Sequence, residues 1–133
     1  MDTASRGIVW ILVAAHLFLL VWAVVGLAEF VSGQVLWPGA TNPGFPRWML
    51  LVQWAALLAT ALTFLVGYQA RWRAMPKALA ANYVVLGALC AYQTFFLLHH
   101  DTRFLAMAAE YVAYIAILLF LFRSKFMIAR LGT

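Results

Sequence analysis

One acidic residue, Glu110, lies inside an apolar run at 104–122 in which no other side chain carries a formal charge. A carboxylate at that depth in a membrane costs about 2.5 kcal/mol or more, so it needs a proton, a partner or a water-filled cavity. Three kinds of chemistry fit it. It can belong to a satisfied hydrogen-bond cluster, protonated or paired to Arg103 or Arg47. It can meet the polar head of an amphipathic molecule. It can titrate as the acid–base group of proton-linked chemistry. Tyr111 and Tyr114 stand close by, and Tyr114 shares the face of Glu110 one helical turn on. Gln53, Gln93 and Glu29 fall at comparable depth in the other apolar runs. Four helices are thus expected to supply a polar, ligand-binding layer made of Glu110, Gln53, Gln93, Glu29, Tyr114 and Tyr111.

Other chemistry finds no support in the spacing. His16 sits in one half of its run, whereas His99 and His100 close another, an axial offset of ~10 Å or more at ~1.5 Å per residue. No HExxH or HxxxH pattern joins them, so no metal or haem is expected and His16 is read as a hydrogen-bonding residue within the bundle. Cys90 is the only cysteine, which excludes an intrachain disulfide and leaves it as a small packing residue. The serines have no histidine or acid at a nucleophile spacing, and no glycine-rich phosphate loop is present. No cofactor and no catalytic residue is assigned. Asp2 is read as a solvated terminal charge.

The elements that must position these residues follow from composition. The chain has 133 residues, 67% hydrophobic and 10% charged, where a soluble domain carries about a quarter charged residues. Its apolar residues fall in four blocks, at about 7–30, 48–68, 78–98 and 104–122. Each is long enough to cross a hydrocarbon core of ~30 Å. The first is much longer than the ~7–15 apolar residues of a signal peptide, so it is expected to be a retained span. The segment 31–47 holds three of the four prolines and forms an irregular cap over the polar layer, with Trp37 and Trp48 at headgroup level.

Orientation follows from the basic residues. Arg6, Arg71, Arg73, Lys77, Arg123, Lys125 and Arg130 fall on one side, and only Arg47 and Arg103 on the other. The positive-inside rule then puts both termini in the cytoplasm. The net charge of +5 is therefore an orientation device, and nucleic acid is not an expected partner. Membrane lipids are, with Arg71, Arg73, Arg123 and Lys125 attracting anionic headgroups.

Small and polar residues mark the seams. Gln53, Ala56, Thr60, Thr63 and Gly67 recur three and four apart, which puts them in one stripe along a helix. In lipid such stripes let helices approach closely and share hydrogen bonds. Ala56, Thr60, Thr63, Gly67 and, in the third block, Gly87 are the expected packing positions. The ends YQARW (68–72) and FRSKF (122–126) read alike, as a two-plus-two repeat would have it.

Those endings also carry a distant resemblance. Phe64, Leu65, Arg71 and Trp72, then Phe120, Leu121, Arg123, Lys125 and Phe126, look like the basic-aromatic motifs that close spans two and four in the GtrA family. That resemblance implies a small four-span protein moving polyprenyl-phosphate-linked sugars. A weaker resemblance, through Pro46–Trp48 and Tyr111–Tyr114, is to the EXPERA fold of sterol isomerases and sterol-binding proteins.

The expectation is an all-α, four-helix transmembrane bundle forming one domain, 1–133, with cytoplasmic termini in a bacterial inner membrane. It would act as a homo-oligomer or within a larger complex, binding or translocating an amphipathic lipid-linked molecule. The alternatives are a non-catalytic accessory subunit and an EXPERA-like lipid isomerase, which needs an acid–base pair close together.

Overall fold

A computed structural model describes residues 3–132. Asp2 lies outside the described residues. Helix α1 spans Thr3–Ser32, α2 Arg47–Gln69, α3 Met75–Tyr92, α4 Arg103–Arg123 and α5 Lys125–Leu131, and no strand occurs among the described residues. A π-helical turn, Gln93–Leu97, continues α3. Four helical stretches are long and apolar enough to cross a membrane: Thr3–Ser32, Arg47–Gln69, Met75–Leu97 and Arg103–Arg123.

Their boundaries have local causes. Helix α1 contains no proline and runs beyond the expected 7–30 at both ends. Its buried residues, among them Val9, Leu12, His16, Ala23 and Gly26, recur on one face, while Trp10, Ile11, Val21 and Val24 point outward. Being apolar all round suits a helix with lipid on one side and protein on the other. Helix α2 starts directly after Pro46, whose φ of −56° and ψ of 141° hold it extended. Pro76 sits in the first turn of α3, where its missing N–H leaves no carbonyl unserved.

Helix α2 ends in a Schellman motif. The Trp72 N–H donates to the Gly67 carbonyl at 2.8 Å and the Arg71 N–H to the Tyr68 carbonyl at 3.4 Å. Arg71 takes the left-handed position, with φ 53°, that glycine usually fills. The similar-looking end of α4 is built differently: Ser124 is extended, at φ −69° and ψ 121°, and the chain re-enters a helix. Two endings that match as strings of residue types therefore have different backbones. Helix α5, absent from the expected elements, buries Met127 and Leu131 in the core. Arg130 lies 4.0 Å above the Tyr68 ring and donates to the Tyr68 carbonyl at 3.4 Å.

Packing follows chain order: α1 on α2, α2 on α3, and α3 more sparsely on α4. Gly26 lets α1 meet the Trp54 ring so closely that a Cβ there would overlap the indole. His16 stacks on Phe64 at 4.1 Å between ring centroids. The small-polar stripe of α2 runs along α3. Gln53 accepts from Gln93 at 2.6 Å, Thr63 accepts from Asn82 at 3.0 Å, and Gly67 makes room for Met75. Thr60, fully buried, turns its hydroxyl onto the Ala56 carbonyl at 2.7 Å.

Helix α4 is the exception. Leu121 is its one buried residue, and Leu105, Val112, Ile115 and Leu119 are exposed. No packed seam joins it to α1, and residues of both helices line an open space between them.

Candidate ligand-binding cavity

Glu110 sits two turns into α4, and the Tyr114 hydroxyl, one turn further on, donates a hydrogen bond to its carboxylate. The Tyr114 ring stacks on Tyr83 of α3, with centroids 4.4 Å apart and planes 16° from parallel. The Tyr83 hydroxyl lies 3.4 Å from Nε2 of His16 on α1. Nδ1 of His16 is 2.7 Å from the Leu12 carbonyl. A carbonyl can only accept, so Nδ1 carries the hydrogen, and in the neutral ring Nε2 is left to accept from Tyr83. The Cys90 thiol sits beside Glu110 and Thr94. Side chains from α1, α3 and α4 thus form one connected series from His16 to Glu110, hydrogen-bonded at both ends and joined by stacked rings in the middle.

This series lines a cavity of about 480 Å³ bounded by all four long helices. Helix α1 contributes His16, Phe18 and Trp22, α2 contributes Gln53 and Leu57, and α4 contributes Glu110, Ala113, Tyr114 and Ile117. From α3 and its π-helical turn come Tyr83, Leu86, Cys90 and Gln93, three and four apart. The π-helical turn begins at Gln93 and closes with the Leu98 N–H on the Gln93 carbonyl at 2.8 Å. Such widened turns recur at functional sites because they re-aim side chains. Here the Gln93 amide donates across to Gln53 at 2.6 Å and ties α3 to α2 at the cavity wall.

Glu110, Gln53, Gln93 and Tyr114 therefore share one space. Tyr111 does not line it. Its hydroxyl donates to the Gly87 carbonyl at 2.7 Å, pinning α4 to α3, and its ring would be in ordinary contact with a Cβ placed on Gly87. Glu29 lies elsewhere too, under the 33–46 segment. One oxygen accepts from the N–H groups of Leu36 and Trp37 at 2.8 and 2.7 Å, and the other from the Thr41 hydroxyl at 2.7 Å. Three donors occupy the Glu29 carboxylate, so it clamps the loop instead of joining the layer around Glu110.

Arg47 and Arg103 are turned away from Glu110. Arg47 covers the Phe30 ring at 4.6 Å and donates to the Phe30 carbonyl at 3.3 Å. Arg103 covers Phe104 at 4.8 Å and donates to the His100 carbonyl at 3.5 Å. The other basic residues of interest cluster at the end that carries the termini. Arg71, Arg73, Arg123 and Lys125 are all exposed there, with Arg73 reaching toward Gly132.

His16, Tyr83, Trp22 and Cys90 belong to the cavity although spacing alone did not put them there. The usable signal was that Tyr83, Cys90 and Gln93 fall on one face of α3, and that His16 is the only imidazole within an apolar run. No family model, curated protein or solved structure matches the chain.

Proposed function

We propose that this membrane protein binds or translocates an amphipathic molecule whose polar head sits against Glu110. The observation that supports this most directly is the single cavity shared by Glu110, Gln53, Gln93 and Tyr114. Apart from His16, Tyr83 and Cys90, its other walls are apolar or aromatic. A largely apolar pocket with a few convergent polar groups suits a ligand of mixed character. Helices α1 and α4 both line the cavity without a packed seam between them, which would let a ligand enter from the lipid. Both distant family resemblances, to GtrA-like and EXPERA-like proteins, also point to a lipid-like ligand.

On this reading the protein resides in a bacterial inner membrane with its termini in the cytoplasm. Arg71, Arg73, Arg123 and Lys125 then face inner-leaflet headgroups and hold that orientation.

The test is extraction in mild detergent followed by mass spectrometry of retained small molecules. Ala113→Trp, at an exposed lining position, should fill the cavity and abolish retention while the protein still folds. Equal retention by both proteins would contradict the reading.

A second reading has its own observation. With Leu121 as its one buried residue, α4 presents a largely uncovered apolar face, as an accessory subunit of a larger assembly would. Copurification of a stoichiometric partner lost on Ile115→Trp would favour it.

A further inference from the structure

The cavity around Glu110 holds a carboxylate and no counter-charge. No lysine or arginine lines it, and Arg47 and Arg103 are engaged with carbonyls and rings elsewhere. The hydrogens of its two phenols are already committed, Tyr114 to Glu110 and Tyr83 to His16. Tyr83, Tyr114 and Glu110 therefore offer an occupant lone pairs, on two phenolic oxygens and a carboxylate oxygen, beside the Gln53 and Gln93 amides, which both donate and accept. Phe18, Trp22, Tyr83 and Tyr114 add aromatic walls.

We infer that the occupant's head is cationic: a protonated amine joined to an apolar body. This rests on the reading that the cavity takes an amphiphile, and it names the class. An ammonium donates to these oxygens, pairs with the Glu110 carboxylate and meets ring faces that attract cations. Low-dielectric surroundings strengthen each of these interactions. A phosphate head would set a second negative charge beside the first with nothing positive between them. An alcohol would satisfy one acceptor and leave the carboxylate uncompensated. The GtrA-like resemblance implies a phosphate-bearing ligand, and this cavity has the opposite electrostatic character.

The experiment compares dodecylammonium, dodecanol and dodecyl phosphate at neutral pH. Each is titrated calorimetrically against the protein in phosphatidylcholine nanodiscs, with empty discs as the blank. Dodecylammonium should bind roughly tenfold tighter than dodecanol, which corresponds to about 1.4 kcal/mol, with the phosphate weakest. Glu110→Gln should erase the advantage of the ammonium. If that variant fails to fold, the wild-type ranking alone decides. Dodecanol or dodecyl phosphate binding as tightly as the ammonium would overturn the cationic class and leave the amphiphile reading standing. An ammonium advantage that survives in folded Glu110→Gln would overturn Glu110 as the group that selects the cation, and with it the inference as drawn from this cavity. If none of the three exceeds the empty-disc blank, both readings fall.

Discussion

Tyr114 donates its hydroxyl hydrogen to Glu110, one turn earlier on the same helix, while its ring stacks on Tyr83 from the neighbouring helix. One side chain thus serves two purposes, orienting the lone acid of α4 and fastening that sparsely packed helix to α3.

Tyr114→Phe separates the two. The ring and its stacking remain and the hydrogen bond is lost. A hydrogen bond to a charged group contributes about 1.5–3 kcal/mol, and one between neutral groups about 1 kcal/mol. Thermal unfolding in detergent should show a loss in that range, and Tyr114→Ala a larger one. Identical melting of wild type and Tyr114→Phe would show that the contact contributes nothing to stability.

Gly26→Ala tests the α1–α2 seam. Alanine is ordinarily better than glycine inside a helix by ~1 kcal/mol. At Gly26, however, the new Cβ overlaps the fully buried Trp54 ring. Overpacking of this kind destabilises by about 1–3 kcal/mol, so the melting temperature should fall. Gly7→Ala is the matched control, since a Cβ there meets nothing within 4 Å. Equal stability of the two variants would mean that the seam is looser than described.

Glu29→Ala should open the loop and spare the cavity. Alanine removes both acceptor oxygens from a place where three part-buried donors converge. A hydrogen bond to a charged group contributes about 1.5–3 kcal/mol. Hydrogen exchange at the Leu36 and Trp37 amides should therefore accelerate, with binding at Glu110 unchanged. Unaltered exchange at both amides would remove Glu29 from the role of clamp.

Arg71→Gly should raise stability. Arg71 holds φ at 53° to close the α2 Schellman motif, and left-handed backbone costs a non-glycine residue roughly 1–2 kcal/mol. Relief of that strain outweighs the extra freedom of glycine in the unfolded chain, for a net gain of up to about 1 kcal/mol. A lower melting temperature would indicate that the Arg71 side chain makes a contribution larger than the strain.

The four apolar helices were legible because membrane thickness dictates the length of each run, whatever packs beside it. Helix α5 was not, since seven residues following Ser124 are too few for periodicity to separate them from a basic tail. Within the site, depth was readable and facing was not. Gln53, Gln93 and Glu110 were placed at one level by counting along their helices, and the structure sets them around one cavity. Glu29 satisfies the same count, yet its carboxylate turns up into the loop, a choice made by backbone N–H groups eight or fewer positions away. His16 and Tyr83 escaped because their pairing spans 67 positions of sequence. No local pattern encodes a contact of that separation. The direction of Tyr111, toward the Gly87 carbonyl, was equally invisible, because Tyr111 and Tyr114 differ only in the side of α4 they occupy.

Cys90 provides the most direct measurement, because it is the only thiol in the chain and lines the cavity beside Glu110. Its alkylation by a small maleimide is followed by intact-mass spectrometry, with and without dodecylammonium, dodecanol or dodecyl phosphate. If the cavity holds an amphiphile at Glu110, at least one of the three slows the reaction several-fold. A thiol moved to the exposed face of α4, Val112→Cys in a Cys90→Ala background, should then keep its rate. Alkylation of Cys90 that proceeds at the same rate under all three would show that no such molecule occupies the space between the helices.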